Sequence, residues 1–149
     1  MKIAIATDHN GVEQKQTIIK ELSMYEMLDK SPINTDTDDY PDFAYEVAKA
    51  VVTKEADLGV LLCGTGIGMS IAANKIKGIR CGHCSSIEQA HLTKEHNNAN
   101  VIALSYKQDL KELIEMIKEF IETEPSQDER HQRRVNKIID LENKSYNEL

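Results

Sequence analysis

Asp57-Leu-Gly-Val-Leu-Leu-Cys63-Gly-Thr-Gly-Ile-Gly-Met-Ser70-Ile-Ala-Ala-Asn74 is the stretch that decides the fold. An apolar run, Leu58 to Leu62, ends at Cys63, and glycines follow at 64, 66 and 68 before a segment with helical character. A strand that feeds a glycine-rich turn and opens a helix aims several backbone N–H groups at one point, with the positive end of the helix dipole behind them. That is a cradle for an anion. A cysteine at its lip stands where a thiolate is favoured over a thiol. A nucleophile or base beside an anion hole is able to carry a reaction.

Working outward, the same alternation recurs. Strands are expected over Lys2–Thr7, Met27–Asp29, Leu58–Cys63, Ile79–Cys84 and Asn100–Leu104. Helices are expected over Val12–Glu26, Asp42–Lys54, Gly66–Ile76, Ser85–His96, Lys107–Glu122 and Gln127–Lys144, from apolar residues at i, i+3, i+4 spacing. Ser85 or Ser86 is the expected cap of the fourth helix. Lys30–Pro41 reads as a polar loop. Strands alternating with helices imply βαβ units and a parallel sheet covered on both faces, an α/β fold. Right-handed crossovers place every strand's carboxyl end on one edge, where ligands bind at the point of strand-order reversal. Asp8 and His9, the Cys63–Gly68 turn, Ser85 and Ser105 are therefore expected along one site. The last, strongly charged helix has no strand after it and is expected against another subunit.

The chain has 149 residues, enough for one domain with a real core, and a formal charge of −7 with pI about 5.2. No basic block offsets that charge, which argues against nucleic-acid and anionic-membrane partners. No run is long enough to span a membrane, and Met1 leads straight into a strand, so no signal peptide is expected and the cytoplasm is the default. The three cysteines read as thiols, not as a disulfide framework.

Other motifs fit less well. A dinucleotide site wants G-x-G-x-x-G after the first strand; here the glycines alternate and follow the third, and no phosphate-loop pattern ending in Gly-Lys exists. Cys81-Gly-His83-Cys84 has the spacing of a disulfide oxidoreductase, but it reads as strand instead of a helix start. As a zinc site it lacks a fourth ligand. Asp36, Asp38 and Asp39 lack the glycine and terminal glutamate of a calcium loop and read as a solvated loop. No metal or cofactor is expected.

Five blocks carry a resemblance. Asp8-His9-x-Gly11, Asp39-Tyr40-Pro41, Cys63-Gly-Thr-Gly-x-Gly-x-Ser70 with Ile71-Ala-Ala-Asn74-Lys75, His96-Asn97-x-x-Asn100-Val101, and Arg130-His131-Gln132-x-Arg134-Val135 stand in order and at similar spacing. In this the chain resembles the type B ribose-5-phosphate isomerases over nearly its whole length. The broader family also holds allose- and galactose-6-phosphate isomerases. The resemblance implies a Rossmann-like three-layer α/β/α sandwich with a five-stranded parallel sheet and an extra C-terminal helix. It implies a homodimer, sometimes paired into tetramers, with active sites between subunits and a small-molecule sugar phosphate as substrate. It implies aldose–ketose isomerisation through an enediolate, with Cys63 as base and the backbone of Gly64, Gly66, Ile67, Gly68, Met69 and Ser70 holding the developing oxyanion. Some members use a glutamate just past the glycines; Met69 stands there, so this chain falls in the cysteine branch. His96, helped by Thr65, resembles the ring-opening group. Asp8 and Asn97 would hold sugar hydroxyls, Tyr40 would wall the pocket, and His9, Arg130 and Arg134 would contact phosphate. Arg130 and Arg134 are i, i+4 and share a helix face.

Departures from the family pattern mark this chain. Ser105-Tyr106-Lys107 stands where a Gly-x-Arg is common, leaving Lys107 as a point charge without the guanidinium fork. Ser31 stands where a glycine is usual after the second strand. A six-carbon substrate, a non-catalytic phosphosugar-binding protein and a thiol redox protein using Cys81 and Cys84 are the competing expectations.

Overall fold

The Leu58–Cys63 run is buried at every position, as a strand covered on both faces must be. In the computed structural model, which describes all residues 1–149, it is the middle strand of the sheet. The strands are β1 (Lys2–Thr7), β2 (Glu26–Asp29), β3 (Leu58–Cys63), β4 (Cys81–His83) and β5 (Val101–Ser105). They pair in parallel throughout, in the order β2-β1-β3-β5-β4. The helices are α1 (Val12–Glu21), α2 (Tyr40–Val52), α3 (Ile67–Ala73), α4 (Ile87–Glu95), α5 (Leu110–Glu122) and α6 (Glu129–Glu142), with a 3-10 turn at Tyr146–Glu148. This is the expected Rossmann-like α/β/α sandwich.

Alternation along the strands sorts the core into two layers. Ile3, Ile5, Leu58, Val60, Leu62, Ile102 and Leu104 face α1, α4 and α5, meeting Ile18, Leu113, Ile117 and Phe120. Ala4, Ala6, Leu61, Cys63, Val101 and Ala103 face α2 and α3, meeting Ala44, Val47, Met69 and Ala73. Small strand residues on the second face let α2 approach closely: a Cβ on Gly59 would stand 2.5 Å from Val47.

Several boundaries differ from the periodicity, each for a local reason. The first helix ends at Glu21, not Glu26, because Glu26 is captured by the sheet: its N–H donates to the Met1 carbonyl and it pairs with Lys2. Tyr25 still packs on the core, which is why the apolar spacing overran. The second helix starts at Tyr40, with Asp39 at its cap and Pro41 in the first turn, where a missing N–H costs nothing. The third stops at Ala73, because the Asn74 side chain leaves to bond both the N–H and the carbonyl of Cys81. That contact occupies backbone groups of the edge strand β4. Ser86 caps α4 by accepting the Gln89 N–H. Helix α5 starts at Leu110, capped by Asp109, since the Lys107 N–H is taken by Ser105 Oγ.

After β1 the chain steps to one side to form β2 and later to the other to form β3, so the carboxyl ends of β1 and β3 flank the switch point. Helix α6 is the outlier. Only His131 and Val135 on it are buried, while Ile138 and Leu141 stand about half exposed. No helix is long and apolar enough to cross a membrane.

Candidate active site

Cys63 ends β3 with 6% of its surface exposed, and the N–H of Gly66 donates to its Sγ at 3.1 Å. The turn that aims this donor is built by its glycines. Gly66 has φ +83°, a left-handed conformation, and a Cβ there would meet the His83 ring at 2.9 Å. His83 Nε2 in turn bonds the Thr65 carbonyl at 2.8 Å. A Cβ on Gly68 would strike the Tyr40 ring at 2.5 Å, so Tyr40 packs against the turn. The Gly64 carbonyl accepts from Ser105 Oγ at 2.8 Å.

Not every N–H from Gly64 to Ser70 faces the site. Gly66 donates to Cys63, Ile67 donates to Thr65 Oγ1 at 3.1 Å, and Ser70 is bonded within the helix to the Gly66 carbonyl. Gly68 and Met69, in the first turn of α3, have no intrahelical acceptor and present their N–H groups outward. The Met69 side chain is fully buried in the α2–α3 layer, and Ile67 points outward, about half exposed.

Asp8 and His9 leave β1 on the same edge. Asp8 does not cap α1; its carboxylate accepts the Asn10 N–H at 3.0 Å. His9 is held by Asp38, whose Oδ1 accepts from the His9 backbone at 3.2 Å and contacts His9 Nδ1 at 2.8 Å. That hydrogen bond raises the His9 pKa above 6.5. Burial alone would push the Asp38 carboxyl up. Hydrogen bonds from Asn34 and His9 outweigh it and bring the value down. Asp38 is thus a structural anchor with a 9% exposed side chain, not part of a solvated acidic loop. No three His, Cys, Asp or Glu side chains converge as a metal-holding group.

The remaining predicted residues lie elsewhere. Helix α4 runs back to the amino edge of the sheet, so His96 and Asn97 stand beside the start of β5. Cys63 is level with Ser105 and Gly59 with Val101; at about 3.3 Å per residue the two ends are about 13 Å apart. His96 stacks on His131 with ring centroids 4.2 Å apart and planes 8° apart. Burial, then the neighbouring His96 and Arg130, lower the His131 pKa. These rings line a cleft of about 360 Å³ with Gln127 and Gln132. Asn97 lines a second, of about 580 Å³, with Asn74, Cys81, Ile138 and Glu142. Arg130 and Arg134 are exposed on α6, Arg130 near Asp128. One chain therefore divides the predicted residues between two opposite edges: Asp8, His9, Tyr40, Cys63, Thr65 and Gly68 on one, and His96, Asn97, Arg130 and Arg134 on the other.

Tyr106 belongs with the first group, although only its place after β5 hinted at it. Its hydroxyl lies 3.7 Å, and Lys107 Nζ 4.0 Å, from where a Gly64 Cβ would be. Burial and the nearby Asp8 raise the Tyr106 pKa. Ser85 is tied to Gln89 and faces no part of this cluster. The Ser31 departure is fully buried and bonded to Thr7 and Lys15. Cys81 and Cys84 lie on opposite faces of the sheet. Burial pushes Cys81 up to about 12 and Cys84 up to about 11. Neither is a reactive thiolate, and His83 is committed to the turn.

The sequence profile of the family described as Ribose/Galactose Isomerase matches residues 3–138. A putative sugar phosphate isomerase of Bacillus subtilis is 42% identical, with 97% of this chain and 99% of that protein aligned. Ribose-5-phosphate isomerase B of Escherichia coli is 41% identical over 95% of this chain and 96% of that one. Among solved structures, ribose-5-phosphate isomerase B of Mycoplasma genitalium with bound ribulose-5-phosphate superposes with TM-score 0.89 at 39% identity, covering 97% of each chain. The Clostridium thermocellum enzyme gives TM-score 0.90 at 40% identity, covering 95% of this chain and 97% of that one.

Proposed function

Because the chain belongs to the ribose/galactose isomerase family and is a sugar-phosphate isomerase, we propose that it interconverts ribose 5-phosphate and ribulose 5-phosphate, with Cys63 as the base. The observation that carries this reading is the Gly66 N–H directed at Cys63 Sγ inside a turn whose next free donors, on Gly68 and Met69, open beside it. Aldose–ketose conversion moves a proton from C2 to C1. The Cys63 thiolate removes the C2 proton as the C1 carbonyl becomes the enediolate oxygen; a proton passes from the C2 hydroxyl to the C1 oxygen, and the thiol returns its proton to C1 as the C2 oxygen becomes the carbonyl. A sulfur anion needs a donor such as the Gly66 N–H, and the enediolate needs fixed N–H groups where its charge develops. Asp8 takes a sugar hydroxyl. His9, whose positive form Asp38 favours, faces the phosphate, with Lys107 as a further point charge. Tyr40 walls the pocket, and Thr65 stands at the ring oxygen.

His96, Asn97, Arg130 and Arg134 complete this site only from a second copy. We propose a twofold homodimer in which the amino edge and α6 of one protomer cover the Cys63 edge of the other. The exposed Ile138 and Leu141 on α6, and Ile67 and Ile71 on α3, are apolar surface for such an interface. Across it His96 handles ring opening, and the two arginines, one helical turn apart, clamp the phosphate.

Conversion of ribose 5-phosphate is measured for wild type beside Cys63→Ala. Loss of at least about a thousandfold in kcat is expected, as for removal of an essential base; an active Cys63→Ala variant refutes the assignment. The shared site is tested by mixing Cys63→Ala with His96→Ala after subunit exchange. Half of the dimers are then mixed, each with one intact site, so about a quarter of wild-type activity returns. No recovery after verified exchange refutes the shared site.

A further inference from the structure

Lys15 is 1% exposed, among the largest of the fully buried side chains. Burying an ammonium is strongly unfavourable unless every proton finds a partner, and a hydrophobe would fill the same space without that demand. All three protons are used: Nζ donates to the Ser31 carbonyl at 2.7 Å, to Asp29 Oδ1 at 3.0 Å and to Ser31 Oγ at 3.1 Å. The partners are not scattered. Ser31 Oγ also accepts the Thr7 N–H at 3.0 Å, and Asp29 Oδ1 accepts the Ser31 N–H at 3.0 Å. Thr7 is the last residue of β1, directly before Asp8 and His9. Its carbonyl accepts from Asn34 Nδ2 at 3.0 Å, and the same amide reaches Asp38 Oδ2 at 3.0 Å. Ser31 is the root of the loop that carries both Asn34 and Asp38.

We propose that Lys15 is a positioning residue for the phosphate-facing part of the site: by clamping Ser31 it fixes the Thr7–His9 backbone on one side and the root of the Asn34–Asp38 loop on the other. The serine hydroxyl is the joint. It receives Lys15 and Thr7 together, so the position of β1's end is set by a charge about one helical turn into α1. This role rests on the proposed contact of Asp8 and His9 with substrate. It acts on parts of the sugar phosphate that do not react, and so on KM more than on kcat.

The test uses Lys15→Met and Ser31→Ala, alone and together, with two readouts. Lys15→Met is expected to raise KM for ribose 5-phosphate about tenfold and change kcat no more than about twofold, with Ser31→Ala smaller in the same sense. The double variant is expected to be no worse than Lys15→Met, because both cut one chain of contacts. Independently of turnover, the His9 ring is titrated by NMR. Its surroundings are Asp38, Asp8 and Asp36, and a loosened Asp38 loop lowers its pKa in both variants. An unchanged KM with kcat reduced in step with the folded fraction overturns the proposal, as does an unchanged His9 titration in a folded variant. If Lys15→Met does not fold, Ser31→Ala decides by the same two criteria. If wild type does not turn over ribose 5-phosphate, the functional reading fails and the His9 titration alone decides this one.

Discussion

Gly66 shows how a single residue sets the site. Its φ of +83° and the His83 ring 2.9 Å from the absent Cβ leave room for no side chain. Gly66→Ala is expected to cost about 1–2 kcal/mol from the left-handed backbone alone, with more from the displaced imidazole. Urea unfolding reads this as a lower midpoint at unchanged slope, and activity falls further than stability because the N–H on Cys63 moves. Gly68→Ala differs: φ is ordinary, and the obstacle is Tyr40. It is expected to swing the Tyr40 ring off the turn and raise KM, while Tyr40→Ala in the same chain restores space and thus stability. An alanine at 68 that leaves KM and stability untouched refutes that packing. Of these features, the need for glycines was legible in their alternation beside Cys63. The roles of His83 and Tyr106 were not, because their partners lie 18 and 42 residues away along the chain.

At the scale of elements, α4 and α5 are clasped by His91. Its Nδ1 lies 2.8 Å from Glu119 of α5 and its Nε2 contacts Glu95 of α4. The Glu119 hydrogen bond leads in raising the His91 pKa above 6.5. A pKa raised on folding means the folded state holds the proton more tightly. Its stabilisation is therefore complete below about pH 6.5 and lost as pH rises through the ring's folded value. Thermal unfolding followed from about pH 5 to 9 should show this decline, flattened in His91→Gln. A His91→Gln profile parallel to wild type refutes the clasp. The charges are partly exposed, so added salt should shrink the effect. Existence and type of every helix and strand were legible from period and caps. Their ends were not, because Glu26, Asn74 and Lys107 are claimed by tertiary hydrogen bonds that override helical spacing.

At the scale of the whole molecule, α6 stands apart. It meets the rest of the chain through Val135, His131 on His96, and Glu142 accepting the Gly78 N–H at 2.8 Å. Removal of residues 128–149 leaves both core layers almost intact. The truncated chain is expected to keep its far-UV spectrum and cooperative melt, sediment as a monomer and lose turnover. A truncated chain that stays dimeric and active would show that α6 contributes neither interface nor phosphate contacts.

The sequence by itself determined the parallel sheet, the two-sided burial of Leu58–Cys63 and the glycine turn after it. Those properties follow from local period, glycine stereochemistry and residue type, which neighbours along the chain dictate. Only the tertiary structure decided where the chemistry-bearing residues gather. Strand order and crossover direction send Cys63 to one edge and His96, at the returning end of a crossover helix, to the other, and which side chains then meet across the folded chain is set by packing, not by neighbours in sequence. The same holds for Lys15, whose spacing from Ile18, Ile19 and Leu22 puts it on the apolar face of α1 while its charge alone would keep it in water. Its burial is decided by Asp29 and Ser31, brought to it by the pairing of β1 with β2.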